Sequence, residues 1–439
     1  MSGRNNLILQ EGMPMVAFLI VGLLLTMFLG LPIAIAMLII GGIYIIQQGI
    51  PFMIVAQFMT EGAMIYVLIA IPLFMFAAHL MNEAGMSHRI IRLCNAFVGH
   101  LRGGLALVNV LASMIFAGMS GEAVADTAGL GSVLIPAMVK EGYDKEFSAA
   151  VTVSSAVIGP IIPPSVPMII CAALASTSVG RMFLGGMIPG ILFGLLLMAL
   201  SYAIAFRRRY PTQPKASWME RWNAFKDAIL GLMTIVIILG GIFSGIFTPI
   251  EAAGIAVVYG FMVGWLVYRS IDFKKLPKIC LDVTLHTGVI MFIIALARFY
   301  NFILTREQIP QKVIGFLMGL SQNPLVIMMI IALGLFVLGC FLSTTPALML
   351  VVPVLLPLVQ EAGYNLVHFF VMVTLALLLG TLTPPVGINL YLVSTISGLP
   401  ATRLLRELLP FYLVLIAVVF VTIFFPWVVT APGNLVFGR

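Results

Sequence analysis

Charge is the first scarcity. Only 9% of the 439 residues are Asp, Glu, Lys or Arg, against about 25% in soluble globular chains. Hydrophobic residues make up 62%, and the mean hydropathy is +1.15. No water-solvated fold hides that much apolar surface, so the natural solvent is lipid and the expected fold is an all-α polytopic membrane protein. Cysteine is scarce too. Cys94, Cys171, Cys280 and Cys340 are widely spaced and form no C-x-x-C pair, so neither a disulfide framework nor a zinc site is indicated. The five histidines, His79, His88, His100, His286 and His368, show no metal-ligand spacing. H-E-x-x-H, paired aspartates and a Ser/His pair in facing spans are all missing, which argues against a membrane-embedded enzyme. The first apolar stretch lacks a small-residue cleavage site and reads as a retained helix rather than a signal peptide. Net charge is +7, but the basic residues sit in short loops between apolar stretches. Membrane topology explains them, and nucleic-acid binding is not indicated.

Apolar runs of spanning length lie at 14–30, 33–48, 63–81, 104–139, 147–177, 183–206, 229–246, 250–268, 279–300, 324–359, 366–397 and 406–428. Two of them, 104–139 and 324–359, are long and interrupted at the middle by small or polar residues. They read as re-entrant hairpins. Two others, 147–177 and 366–397, are interrupted by Pro163-Pro164 and Pro384-Pro385 and read as discontinuous helices. The longest polar stretch runs from Arg207-Arg208-Arg209 to Lys226, and the positive-inside rule places it in the cytoplasm. With the hairpins re-entrant, only Arg4, Arg181, Arg306, Lys312 and Arg439 fall outside and Arg298 lies within a span. The remaining basic residues gather on the cytoplasmic side, and both termini are expected in the periplasm. Treating the hairpins as simple spans destroys this segregation.

The chain repeats itself at an offset of 221. Pro136, Gly142, Tyr143, Gly159, Pro163 and Pro164 match Pro357, Gly363, Tyr364, Gly380, Pro384 and Pro385 without a gap. Shared Gly and Pro at one offset are far harder to obtain by chance than shared aliphatics. The first hairpin enters from the cytoplasm and the second from outside, so the repeats are inverted, a pattern of secondary transporters. The expected units are a first repeat at 1–206, a cytoplasmic linker at 207–228 and a second repeat at 229–439.

Each repeat offers a hairpin tip, 117–122 or 339–346, and a helix break, 159–165 or 380–387. Proline has no N–H and clashes with the preceding turn, so a proline pair frees several carbonyls. Such carbonyls cannot face hydrocarbon; they must meet water, protein donors or a cation. The helix that resumes after a break presents a positive N-terminal end suited to a carboxylate. Paired breaks therefore suggest a cation site beside an anion site. A single Pro-Pro kink would carry no such meaning.

At these motifs the sequence resembles the large membrane subunit of tripartite ATP-independent periplasmic (TRAP) transporters, the DctM type. The resemblance rests on Ser120-Gly121 with Ala125-Asp126, on Gly159-Pro160-Ile161-Ile162-Pro163-Pro164-Ser165, on Phe247-Thr248-Pro249-Ile250-Glu251-Ala252-Ala253 and on Thr383-Pro384-Pro385-Val386-Gly387-Ile388-Asn389. It covers nearly the whole chain. It implies a sodium-driven elevator importing an organic acid. A periplasmic binding protein would deliver the substrate, and a small four-helix membrane subunit on a separate polypeptide would widen the scaffold in the inner membrane. It implies a first sodium site at Ser120, Gly159, Ile162 and Pro163 and a second at Gly339, Gly380, Thr383 and Val386. Substrate would lie between the tips and the breaks, against Glu122, Ser165, Ser343, Thr344 and Asn389. The hairpins and broken helices would form the moving domain. Sodium is the expected coupling ion, and no other cofactor is expected. The alternative is a stand-alone sodium- or proton-coupled anion transporter that needs no binding protein; a pore fits the paired breaks less well.

The sequence departs from the family pattern at Glu122, which stands where the first tip usually has a second serine, and at Ser343, where the second tip usually has an acid. These positions are equivalent by the offset. Ala117 replaces a frequent serine. Glu122 is expected to join the ion site, a proton step or a pair with Arg298. Asp126 reads as a cap of the second hairpin arm or a partner of polar backbone, Arg298 as a residue snorkelling to the interface in preference to a contact for a substrate carboxylate and Glu251 as a helix-start residue. Trp218 and Trp222 read as interface anchors. Amphipathic stretches near 85–102 and 305–320 read as connecting arms or basic loops.

Overall fold

The computed structural model describes residues 3–438, and the described residues contain helices and turns but no strand. The first repeat comprises α1 (Gly3–Phe28), α2 (Ile33–Gln47), α3 (Met53–Ala63), α4 (Ala70–Glu83) and α5 (Met86–Val98). It continues with α6 (Gly104–Ser120), α7 (Ala123–Lys140), α8 (Lys145–Ala156), α9 (Val166–Leu174) and α10 (Val179–Arg208). The second repeat has α11 (Trp218–Phe243), α12 (Pro249–Met262), α13 (Leu276–Arg306), α14 (Ile309–Leu320) and α15 (Pro324–Gly339). Then come α16 (Thr344–Glu361), α17 (Leu366–Thr381), α18 (Ile388–Ser397) and α19 (Ala401–Phe424); α20 (Trp427–Phe437) closes the chain without a counterpart. The offset seen over 136–164 thus extends to nearly every helix. One difference is plain: α3 and α4 are separated near Met64–Ile65, where α13 runs unbroken through the equivalent stretch.

Both hairpins enter and leave at one end. The amide of Leu105, at the start of α6, donates to the Tyr143 hydroxyl just past α7, at 3.3 Å. The equivalent Tyr364, just past α16, donates to the Pro324 carbonyl at the start of α15, at 3.2 Å. The two ends are opposite. Helix α10 has 30 residues and so is roughly 45 Å long, about the full thickness of a bilayer with its headgroups. Arg181, near its start, shares a cavity with Tyr364 and Asn365. Arg208, at its other end, donates to Asp144 at 3.0 Å and to both oxygens of Glu407 at 2.8 Å. Beside it, burial and hydrogen bonding to Asp144 push the Tyr210 phenol up to about 12, so it remains a donor. The repeats are therefore inverted, as the sequence indicates. Single cysteines at Glu141 and Glu361, on a Cys280→Ser background, are expected to react with an impermeant maleimide from opposite faces, 141 from the cytoplasm. Labelling from one face would break the inversion.

The units interlock crosswise. Helix α7 of the first hairpin packs on α18, and α16 of the second packs on α9. Inside the first unit a fully buried polar seam joins α6 to α8: Asn109 donates to Thr152 at 2.6 Å and Ser113 to Ser155 at 2.9 Å. Such interhelical bonds contribute about 0.6 kcal/mol each in lipid and also fix register.

Several boundaries differ from expectation. Helices α3 and α20 are additional; both are 11 residues long and too short to register as spans. The 207–228 linker is partly helical, because Ser217 and Glu220 form a capping box that starts α11 at Trp218. The stretches near 85–102 and 305–320 are helices rather than loops, α5 and α14. Arg92 of α5 bonds Asp227 of α11 at 3.0 Å. Thr248 and Glu251 form a second capping box, as a helix-start acid should.

Candidate functional site

Each tip is stitched to the break of its own repeat. The amide of Val166 donates to the Gly121 carbonyl at 3.3 Å, and the equivalent amide of Gly387 donates to the Cys340 carbonyl at 2.9 Å. Both stitches need glycine close by. Gly121 has φ +67, and a Cβ there would overlap the Pro164 carbonyl oxygen. The non-helical segments are 121–122 and 340–343 at the tips and 157–165 and 382–387 at the breaks. Pro163-Pro164 and Pro384-Pro385 are both cis.

At the first break the carbonyls of Gly159, Ile162 and Pro163 accept no hydrogen bond among the described residues. Ser120 is buried and its hydroxyl donates to Asp126 Oδ1. Asp126 is 0% exposed, and its Oδ2 has no hydrogen-bond partner among the described residues. That oxygen points at Gly159, where a Cβ would overlap it. The expected cap of α7 is thus corrected: Asp126 makes no capping bond and instead aims a bare carboxylate oxygen at the break. A hard, oxygen-only pocket results, which suits a small cation.

The second break is built from backbone. Gly339 and Gly380 bring α15 and α17 into contact; a Cβ on Gly380 would stand 2.6 Å from the Cys340 nitrogen. The carbonyls of Gly339, Thr383 and Val386 accept no hydrogen bond among the described residues, whereas that of Gly380 accepts from Thr383 N at 2.8 Å. No carboxylate replaces Asp126 here, since Ala347 is its equivalent by the offset. The first break is almost wholly buried, while Pro385 and Val386 of the second are exposed.

Four predicted substrate contacts, Glu122, Ser343, Thr344 and Asn389, line one narrow crevice between the tips, with Thr345, Thr381 and Pro160. The crevice opens at Glu122 and Ser343 into a chamber of about 570 Å³, within the usual range for small-molecule sites. The far wall is Met75, His79 and Asn82 of α4 and His286 of α13. The two histidines have no sequence signal that pairs them, because α4 and α13 belong to different repeats. The Ser165 hydroxyl donates to the Pro160 carbonyl and accepts from Met168 N, so it caps α9, and Ser165 is not among the residues that line the crevice. Arg298 is not a partner of Glu122; it lies 3.8 Å from Glu61 of α3, both half exposed.

A family model described as the tripartite ATP-independent periplasmic transporter, DctM component, matches residues 20–428. The sialic acid TRAP transporter large permease protein SiaM of Vibrio cholerae is 39% identical over 93% of this chain and 96% of its own length. The C4-dicarboxylate TRAP transporter large permease protein DctM of Pseudomonas aeruginosa is 37% identical, over 84% and 86%. The 2,3-diketo-L-gulonate TRAP transporter large permease protein YiaN of Escherichia coli is 36% identical, over 92% and 95%. Among solved structures, the efflux pump MtrF of Neisseria gonorrhoeae superposes with a TM-score of 0.61 at 13% identity, covering 84% of this chain and 82% of that one. The YdaH transporter of Alcanivorax borkumensis gives 0.61 at 15%, covering 85% and 87%. These two establish likeness of fold alone, that of all-helical membrane transporters. With the family model spanning both hairpins and both breaks, this multi-pass membrane protein belongs to the DctM component family of tripartite ATP-independent periplasmic transporters and is a transport permease, not an enzyme.

Proposed function

We propose that this chain is the large subunit of a sodium-coupled, binding-protein-dependent transporter that imports an organic acid across the bacterial inner membrane by an elevator movement. The observation that carries the reading is the pair of tip-to-break stitches surrounded by carbonyls without donors, with the bare Asp126 oxygen at the first. Ser120, Asp126 and the carbonyls of Gly159, Ile162 and Pro163 hold one sodium ion. Gly339, Gly380, Thr383 and Val386 hold a second. Sodium ties each tip to its break and so fixes the N-terminus of α16, where Ser343 makes no side-chain cap. The first N–H groups of that helix are left for a carboxylate. Ion and substrate are then coupled through one shared structure. The moving body is α6–α9 with α15–α18. It slides against α4 and α13, which wall the chamber opposite the tips. A small four-helix subunit covers the remaining apolar scaffold, a periplasmic protein hands over the substrate, and both termini face the periplasm.

The organic-acid class is supported by the substrates in the names of the three relatives. The test is reconstitution with the two partner proteins, using N-acetylneuraminate, succinate and 2,3-diketo-L-gulonate as probes. Uptake is expected only with an inward sodium gradient and all three components. Equal uptake by this chain alone would favour the stand-alone alternative.

A further inference from the structure

The crevice between the tips is rich in acceptors and lacks a fixed cation. Asn389 is 2% exposed, and its amide orientation is determined by its neighbour. The Thr381 hydroxyl gives its only proton to the Leu378 carbonyl at 2.7 Å. It can therefore only accept from Asn389, whose Nδ2 lies 3.1 Å away. The Asn389 Oδ1 is left buried without a partner, and Asn389 lines the crevice with Glu122. A buried acceptor without a donor costs about 1–3 kcal/mol, so a ligand that donates there is favoured. Glu122 is the N-cap residue of α7, but its side chain caps nothing and lines both crevice and chamber.

The chamber wall adds no permanent positive charge. Among the described residues, no Lys or Arg lines the crevice or the chamber. His79 and His286 each place Nδ1 beside the carbonyl one turn back, Met75 O at 2.8 Å and Asp282 O at 2.7 Å. A carbonyl only accepts, so Nδ1 carries the proton and the Nε2 of a neutral ring is one more acceptor. The crevice also holds donors: the free first turn of α16 and the hydroxyls of Ser343, Thr344 and Thr345.

We propose that the substrate is a zwitterion, an acid whose carboxylate rests on the first turn of α16 and whose ammonium group faces Glu122 and Asn389. The inference rests on the transporter reading above and narrows its substrate class. A dianion would set its second carboxylate against Glu122, and like charges so placed repel strongly where water is excluded.

The first test reads charge without a substrate. Val124 lines both cavities and is 37% exposed. In a Cys280→Ser, Val124→Cys chain, 2-aminoethyl methanethiosulfonate is expected to react about tenfold faster than its 2-sulfonatoethyl counterpart, each rate taken relative to a free thiol. Adding Glu122→Gln is expected to bring the two rates together. Faster reaction of the anionic reagent in the parent would overturn the proposal. The second test needs no reporter. With sodium present, 4-aminobutyrate is expected to raise the melting temperature of the purified chain more than succinate or 4-hydroxybutyrate, which differ from it at one end only. Glu122→Gln is expected to remove that preference. Greater stabilisation by succinate or 4-hydroxybutyrate rejects the zwitterion, while sodium-driven uptake of either acid keeps the transporter reading.

Discussion

Asp126→Asn is expected to shift the sodium dependence of transport to much higher concentrations while leaving the fold intact. The carboxylate is fully buried, one oxygen takes the Ser120 proton and the other has no partner. A cation between Asp126 and the Gly159 break would complete a buried charge pair. Removing one member of such a pair costs about 3–5 kcal/mol, so sodium affinity should fall by at least about a hundredfold. The amide is close to the carboxylate in size, so packing is preserved, and its oxygen still accepts from Ser120. The sodium-free melting temperature should not fall, because a buried carboxylate with a bare oxygen is itself unfavourable without a cation. The sodium-induced rise in melting temperature should shrink to the part that the second break contributes. A variant that keeps the wild-type sodium response would place the ion elsewhere and reduce Asp126 to a partner of Ser120.

The parts of this molecule most legible in the sequence are those where backbone geometry permits few residues. Gly159, Pro163 and Pro164 repeat as Gly380, Pro384 and Pro385 because the tip-to-break contacts tolerate little else, and the hairpins and breaks fall where these residues place them. The rest of the repeat is faint. A lipid-facing helix needs apolar residues but not particular ones, so α1–α4 and α11–α13 share architecture with little to match beyond Leu31-Pro32-Ile33 against Thr248-Pro249-Ile250, where α2 and α12 begin. Other features are hidden for related reasons. From sequence Arg298 is available to Glu122, because its partner in the fold, Glu61, sits on α3, a helix too short to be read as a span. Asp126 reads as a cap because an acid in the first turn usually is one. Only the packing of α7 against Gly159 reveals its other use. Ser165 does carry a usable signal: a serine directly before an apolar helix is an N-cap pattern, and its side chain caps α9. The chamber histidines had none, since only tertiary structure brings α4 and α13 to the tips.

Gly380→Ala is expected to cost more function than any other single-methyl addition in the second repeat. At this point α15 and α17 touch backbone to backbone. The added Cβ would overlap the Gly339 carbonyl carbon and the Phe336 oxygen and stand 2.6 Å from the Cys340 nitrogen. None of these atoms can rotate away as a side chain could, so the helices must separate. Overpacking of this kind costs about 1–3 kcal/mol, which a chain of this size survives. The carbonyls of Gly339, Thr383 and Val386 do not survive it in register, because a coordination sphere tolerates displacements of only about 0.5 Å. The expected result is a folded protein, a few degrees less stable, whose transport no longer saturates with sodium in the wild-type range. Gly334→Ala is the control. It lies on the same helix α15, and a Cβ there meets nothing within 4 Å, so its transport and stability should match wild type. If Gly380→Ala and Gly334→Ala share the same sodium response, the close crossing of α15 and α17 serves packing alone and the second ion is held elsewhere.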